Sequence, residues 1–376
     1  MNDEMRVKNG VTIAKRRLAR MRSRALATSA VLFVASWANA QTGNQQAPQP
    51  AQANAPAARA PIKEADYIPV SASVPFVSFS PVVMKVPGRQ VDLQMRVSAP
   101  ATGSKLPILL LSHGQGYSNY VSSLRGYNPL VDFYASHGFV VIQPTHQDSK
   151  SLDLPPNGPE GMIWWRSRAT DMHFILDHLD EIERTVPGLT GRLDRSRVVA
   201  VGHSAGGHTV QLLAGMRPTD PNDGKKANLT DPRVKAVVMI GAPGGDTDLG
   251  PFVVQHLPIA QKVDFSEMKT PALVVAGDRD LIPIFSPRVS WRADAYPLSP
   301  GPKCLLTMFG ATHSYGGIAQ YDAAETSDEN PERVSVLQRL SWAYLRSVLY
   351  PGDTSWEKAS AALNSKSDPM GSVECK

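Results

Sequence analysis

Residues 197–209 run R-V-V-A-V-G-H-S-A-G-G-H-T, the pattern of a strand that turns sharply into a helix. A β-branched apolar run leads into Gly202-His203-Ser204-Ala205-Gly206, a G-x-S-x-G element. Helix-compatible Val210-Gln211-Leu212-Leu213-Ala214 leads out of it. A serine on so sharp a strand-to-helix turn sits in strained backbone, and small neighbours let the chain close around it. Its hydroxyl stands at the top of a sheet, with the N-terminus of the next helix behind it. The same five-residue pattern also arises by chance in Gly/Ser-rich turns. The strand before it and the helix after it make Ser204 the candidate nucleophile.

On either side of this stretch, apolar β-rich runs alternate with helix-like ones, the mark of an α/β sheet. Strands are expected at residues 91–98, 107–112, 139–144, 197–202, 234–240, 272–276 and 304–309. Ile108-Leu109-Leu110-Leu111 and Ala236-Val237-Val238-Met239-Ile240 are continuous apolar runs, as in strands covered on both faces. Helices fit residues 128–136, 168–183, 206–214 and 332–349, the second carrying Met172, Phe174, Ile175, Leu179 and Ile182 at helical spacing. The Pro-rich segment 147–165 follows a strand end, on the side where open α/β sheets place ligands.

A serine hydroxyl needs a base to take its proton and a third group to orient that base. Gly277-Asp278-Arg279-Asp280 follows one strand, and Gly310-Ala311-Thr312-His313 follows the last. Both lie beyond strand C-terminal ends, and the order Ser…Asp…His is that of α/β-hydrolases. Asp278 and Asp280 compete for the orienting role. Asp280 is favoured because the loop must project its carboxylate toward the histidine, while Asp278 suits a brace for the turn. Ser112-His113-Gly114-Gln115-Gly116-Tyr117 follows a buried strand and can turn backbone N–H groups toward an oxyanion. The expected donors are the amides of Gln115 and Ala205.

H-G-Q-G at 113–116, G-H-S-A-G-G at 202–207, G-D-R-D at 277–280 and G-A-T-H at 310–313 resemble the α/β-hydrolase superfamily. Within it the chain most resembles the group of platelet-activating-factor acetylhydrolases, chlorophyllases and dienelactone-hydrolase-like esterases, over residues 67–350. Cutinase-like polyester hydrolases, which share the triad order and a disulfide near the C-terminus, are a second comparison. The resemblance implies an α/β-hydrolase fold, with a mostly parallel central sheet and helices on both faces. It also implies an ester hydrolase that works through an acyl-enzyme. Dienelactone hydrolases carry cysteine at the nucleophile position, so Ser204 argues against that activity. Fold alone does not choose the substrate. A small or polymeric ester is expected, with a peptidase or acyltransferase on the same triad as the alternative. A non-catalytic binding protein on this fold is the rival of another class.

The first forty residues hold eight Lys/Arg against two acids, then an apolar stretch at 25–36 and Ala38-Asn39-Ala40 before Gln41. A basic start, a short apolar core and A-x-A describe a secretory signal peptide, and that core is too short to span a bilayer. The expected organisation is a signal peptide at 1–40 and a Gln/Ala/Pro-rich linker at 41–66. A catalytic domain follows at 67–352 and a tail at 353–376, in a secreted or periplasmic protein. Taking 8 from 39 basic and 2 from 34 acidic residues leaves 31 and 32. The formal +5 therefore belongs to the leader, and nucleic-acid binding loses its compositional support. No cluster has metal-ligand spacing and no glycine-rich phosphate loop is present, so neither metal nor cofactor is expected. Nothing in the residues sets an oligomeric state.

Cys304 and Cys375 are the two cysteines. In an exported chain they suggest one bridge tying the tail to the core, worth at most roughly 4 kcal/mol by chain entropy. Two unrelated thiols are the alternative. Tyr117, Trp164 and Trp165 are candidates to line a substrate pocket, although such a tryptophan pair also serves as packing at a helix start. His203 and His208 read as structural.

Overall fold

A computed structural model describes residues 65–376 apart from 156, 157 and 159. The proposed signal peptide and all of the linker before residue 65 lie outside the described residues. Nine strands form one sheet: β1 Phe76–Met84, β2 Leu93–Pro100, β3 Leu106–Ser112, β4 Val140–Pro144, β5 Leu193–His203, β6 Val234–Ile240, β7 Ala272–Gly277, β8 Lys303–Met308 and β9 Gly371–Cys375. The principal helices are α1 Asn128–Ser136, α2 Trp165–Asp177, α3 Ala205–Ala214, α4 Pro251–His256, α5 Pro331–Leu349 and α6 Ser355–Asn364.

The strand order is β1-β2-β4-β3-β5-β6-β7-β8-β9. From β4 through β3 to β8 the pairings are parallel, while β1, β2 and β9 pair antiparallel at the two ends. Alternation along each strand divides the core into two layers. Ile108 and Leu110 face a layer built on α2 and α3, with Met172, Ile175, Val210 and Leu213. Leu109 and Leu111 face the opposite layer, with Leu130 and Tyr134 of α1 and Leu337 and Leu340 of α5. Both faces of the middle strands are covered, which is why those strands read as unbroken apolar runs.

Four elements depart from the sequence expectations. β1 carries Pro81, and its register shifts between Phe79 and Val82, so it survives only as an edge strand. The helix expected at 168–183 starts earlier, at Trp165, and breaks at His178, whose Nδ1–H donates to the Phe174 carbonyl at 2.8 Å. Residues 353–376 are not a tail. They form α6, which buries Ala359 and Leu363 in the second layer, and β9, which extends the sheet. Cys304 and Cys375 face each other directly in the β8–β9 register and are joined by a disulfide. The strand GSVEC has too little apolar pattern to announce itself, and its pairing with β8 makes it a strand.

Candidate active site

β5 runs straight into Ser204, which has φ 54° and ψ −117° and precedes the first residue of α3. Backbone of this kind costs on the order of 1–3 kcal/mol for a non-glycine residue and persists where the surroundings hold it. Here the Ser204 N–H donates to the Ile240 carbonyl of β6 at 2.9 Å. The flanking glycines are required by contact. A Cβ at Gly202 would sit 2.0 Å from the Gly206 carbonyl oxygen, and one at Gly206 would sit 2.0 Å from that of Ser112.

His313 reaches the same edge from the loop after β8. Its Nε2 lies 2.9 Å from Ser204 Oγ, and its Nδ1 lies 2.8 Å from Asp280 Oδ2 and 3.0 Å from Oδ1. Asp280 is 2% exposed and also accepts from the Tyr315 hydroxyl at 3.1 Å. Arg292 Nε stands 3.5 Å from the same carboxylate. Burial pushes the Asp280 carboxyl up, but His313 and Arg292 outweigh it and hold the pKa at about 2. A charged carboxylate there leaves Nδ1 carrying the proton and Nε2 free to receive one from the serine. Asp278 does not enter this chain. Its Oδ1 accepts the Gly310 N–H at 2.6 Å and braces the turn.

The histidine loop is braced by Asp328, which accepts from Ser314 Oγ, from the amides of Thr312 and Gly316, and from Arg333. From below, His203 ties it to the opposite loop. His203 Nε2 donates to the His313 carbonyl at 2.9 Å, so Nδ1 accepts from the Tyr127 hydroxyl at 2.8 Å. That hydroxyl in turn accepts the Gly114 N–H at 2.9 Å. Burial first, and then the charge of His313, lowers His203 to about 3, so it stays neutral as this wiring needs.

Gln115 and Ala205 both line a cavity of about 390 Å³ that opens at Ser204 and His313. Ala205 opens α3, so its N–H has no carbonyl to meet within the helix. The Gln115 N–H has no protein acceptor among the described residues. The walls are mostly apolar, with Met162, Phe252, Leu257, Ile284, Phe285 and Trp291. A larger groove of about 680 Å³ at Asn128, Asp132 and Gln338 holds none of Ser204, His313 or Asp280.

Tyr117 stands at the cavity and is 90% exposed. Trp164 and Trp165 correct the sequence expectation, since they are 3% and 0% exposed and neither lines the cavity. Trp165 joins the first core layer, and Trp164 closes over Gly158, where a Cβ would meet its ring at 2.3 Å. Their neighbours Met162 and Ile163 reach the cavity instead. His208 also lines it, one turn beyond Ser204, and burial lowers its pKa to about 4. Arg168, Arg292, Tyr127 and Asp328 were not marked by any motif. The available signal was an arginine at position 168, spaced to fall on the same side of the helix as Trp165, Ala169, Met172 and Ile175.

No family model matches the chain. It is 28% identical over 179 residues to Cutinase 1 of Thermobifida cellulosilytica, which covers 48% of this chain and 51% of that protein. A cutinase of Thermobifida fusca (strain YX) matches at the same identity, over 48% of this chain and 44% of its own length. The platelet-activating factor acetylhydrolase of Cavia porcellus is 28% identical over 168 residues, 35% of this chain and 37% of that protein. The chain spans about half the length of the cutinases it matches and less of the acetylhydrolase. Its fold is that of the α/β-hydrolases, the fold of these relatives.

Proposed function

We propose that this chain is an exported serine hydrolase that cleaves carboxylic esters through an acyl-enzyme. One observation carries the reading: Ser204, His313 and Asp280 form a continuous hydrogen-bonded chain at the mouth of an apolar cavity. Ser204 Oγ attacks the ester carbonyl while His313 Nε2 takes its proton. The carbonyl oxygen becomes an oxyanion, which the amides of Gln115 and Ala205 stabilise. His313 then returns the proton to the departing alkoxide, and the alcohol leaves. Water, deprotonated by the same imidazole, releases the acid and restores Ser204. Asp280 holds the imidazole in the required tautomer and stabilises its cation.

The relatives are carboxylic ester hydrolases, which favours an ester over an amide bond. The cavity walls favour an apolar acyl group. Export rests on the leader at 1–40, and the Cys304–Cys375 bridge suits an oxidising compartment. A fluorophosphonate probe should label wild-type protein and not Ser204→Ala. A panel of p-nitrophenyl esters beside a polyester film then separates small from polymeric substrates. Wild-type protein that takes no label and cleaves no ester would overturn the reading.

A further inference from the structure

Beneath the loop that carries Gln115 lies a fully buried arginine that the mechanism above does not use. Arg168, in the first turns of α2, is 0% exposed. Its Nε and one terminal nitrogen grip both oxygens of Asp148, at 3.0 and 2.7 Å. The other terminal nitrogen donates to the His113 carbonyl at 2.8 Å, and the first also lies 3.4 Å from the Gly114 carbonyl. A planar guanidinium grips a carboxylate with two N–H groups and aims its remaining donors in fixed directions, a geometry the single nitrogen of an ammonium does not reproduce.

The Gly114 carbonyl has a second donor. The His146 N–H donates to His113 Nε2 at 3.0 Å, which leaves the His113 proton on Nδ1, and that proton goes to the Gly114 oxygen at 2.6 Å. The Gly114 N–H is meanwhile taken by Tyr127. Both sides of this residue are therefore held by buried groups. A Cβ at Gly114 would sit 2.9 Å from the Tyr127 hydroxyl, so a larger residue would have to displace that buried group.

The consequence follows from peptide geometry. The Gly114 carbonyl and the Gln115 N–H belong to one planar trans unit and point in opposite directions. Holding the carbonyl down in the buried donor pocket turns the Gln115 N–H up, toward the cavity that Gln115 lines. We propose that Arg168, anchored by Asp148 and acting with His113, is a positioning residue that sets the peptide orientation of the oxyanion donor Gln115. This rests on the esterase reading, and it assigns part of the rate to a residue remote from the substrate. Losing one oxyanion donor costs about 10²- to 10³-fold in kcat, so a partly misaimed donor costs less.

The test uses the full-length protein, p-nitrophenyl butyrate, and exhaustive fluorophosphonate titration to count active sites. Arg168→Lys keeps a cation beside Asp148 but loses the fork. It should lower kcat per titrated site about 10- to 100-fold with KM within about twofold. Affinity for an alkyl boronic acid, whose tetrahedral adduct uses the same donor, should fall by a similar factor. Asp148→Asn leaves Arg168 without its charged anchor and should show the same split with a smaller loss. It also decides the matter alone if Arg168→Lys does not fold. A lower Tm or fewer titratable sites, with kcat per site and boronic acid affinity unchanged, assigns Arg168 to folding only and overturns the proposal. Wild-type protein that neither turns over the ester nor binds the boronic acid sinks the esterase reading itself.

Discussion

The two sides of the Ser204 mouth are built on different principles. On one side stand the sheet's C-terminal ends and their loops, with His113, Gly114, His203, Asp280 and His313. Apart from His313, which is a quarter exposed, these residues are buried, and the group is paired through Tyr127, Arg168, Tyr315 and Asp328. On the other side Phe252, Leu257, Ile284 and Phe285 come from α4 and the segment after β7 and offer mainly shape. Developing charge is stabilised by dipoles that do not have to reorganise, so the polar side must be rigid. An acyl chain needs volume and apolar contact, which tolerate exchange. Ile284, on this second side, is 51% exposed. Changes on the first side should therefore remove rate, and changes on the second should redistribute it among substrates.

The sharpest break of that contrast would come from the hydrogen-bonded chain. Ser204→Ala, His313→Ala and Asp280→Asn should each lower kcat by about 10⁴-fold or more. A double variant should cost little beyond the worse single one. Asp278→Asn should stay within about tenfold, because its carboxylate braces Gly310 and not the imidazole. Steady-state kinetics on one ester decide this, and a larger loss for Asp278→Asn than for Asp280→Asn would move the orienting role.

Next in size is the bridge behind the polar side. Cys304→Ser with Cys375→Ser should lower stability by up to about 4 kcal/mol, read by thermal melting. Room-temperature kcat should be nearly unchanged, because β7 and β8 pair in parallel independently of β9. A loss of kcat with full retention of Tm would mean that the edge strand shapes the His313 loop directly.

The acid limb of stability gives a smaller effect. The Asp280 carboxyl, at about 2 in the folded chain, lies below its ordinary 3.8. The ionised form is therefore favoured by folding. Its contribution is complete above about pH 4 and lost as pH falls toward 2, worth roughly 2 kcal/mol. Denaturant unfolding of wild type and Asp280→Asn at pH 5 and pH 2 should show the gap closing by about that amount. An unchanged gap would mean that Asp280 is not held as an anion.

The smallest effect tests the apolar wall. Ile284→Ala should change the ratio of kcat/KM between long and short acyl esters by about tenfold, with kcat on the short ester within about threefold. Collapse of kcat on every ester would erase the distinction between the two sides.

How much was legible follows the same division. The strand runs, the elbow, Asp280 and His313 could be read because each depends on neighbours a few residues away: apolar alternation, glycines at a tight turn, an acid or base just past a strand. Trp164 and Trp165 were misplaced for the complementary reason. Their dipeptide suits a pocket or a core equally; Trp164 takes left-handed backbone, φ 45°, just before α2, and both rings are buried. Local chemistry alone was enough to read the α/β class, to mark Ser204 and His313 as candidates, and to favour Asp280 over Asp278. Tertiary structure alone decided that GSVEC is a strand, that Arg168 reaches back 55 residues to the His113 carbonyl, and that Arg292 flanks Asp280. The first is a backbone ladder that needs β8 beside it; the other two are buried polar pairings, worth little in the open chain and strong only once folding has removed the water around them.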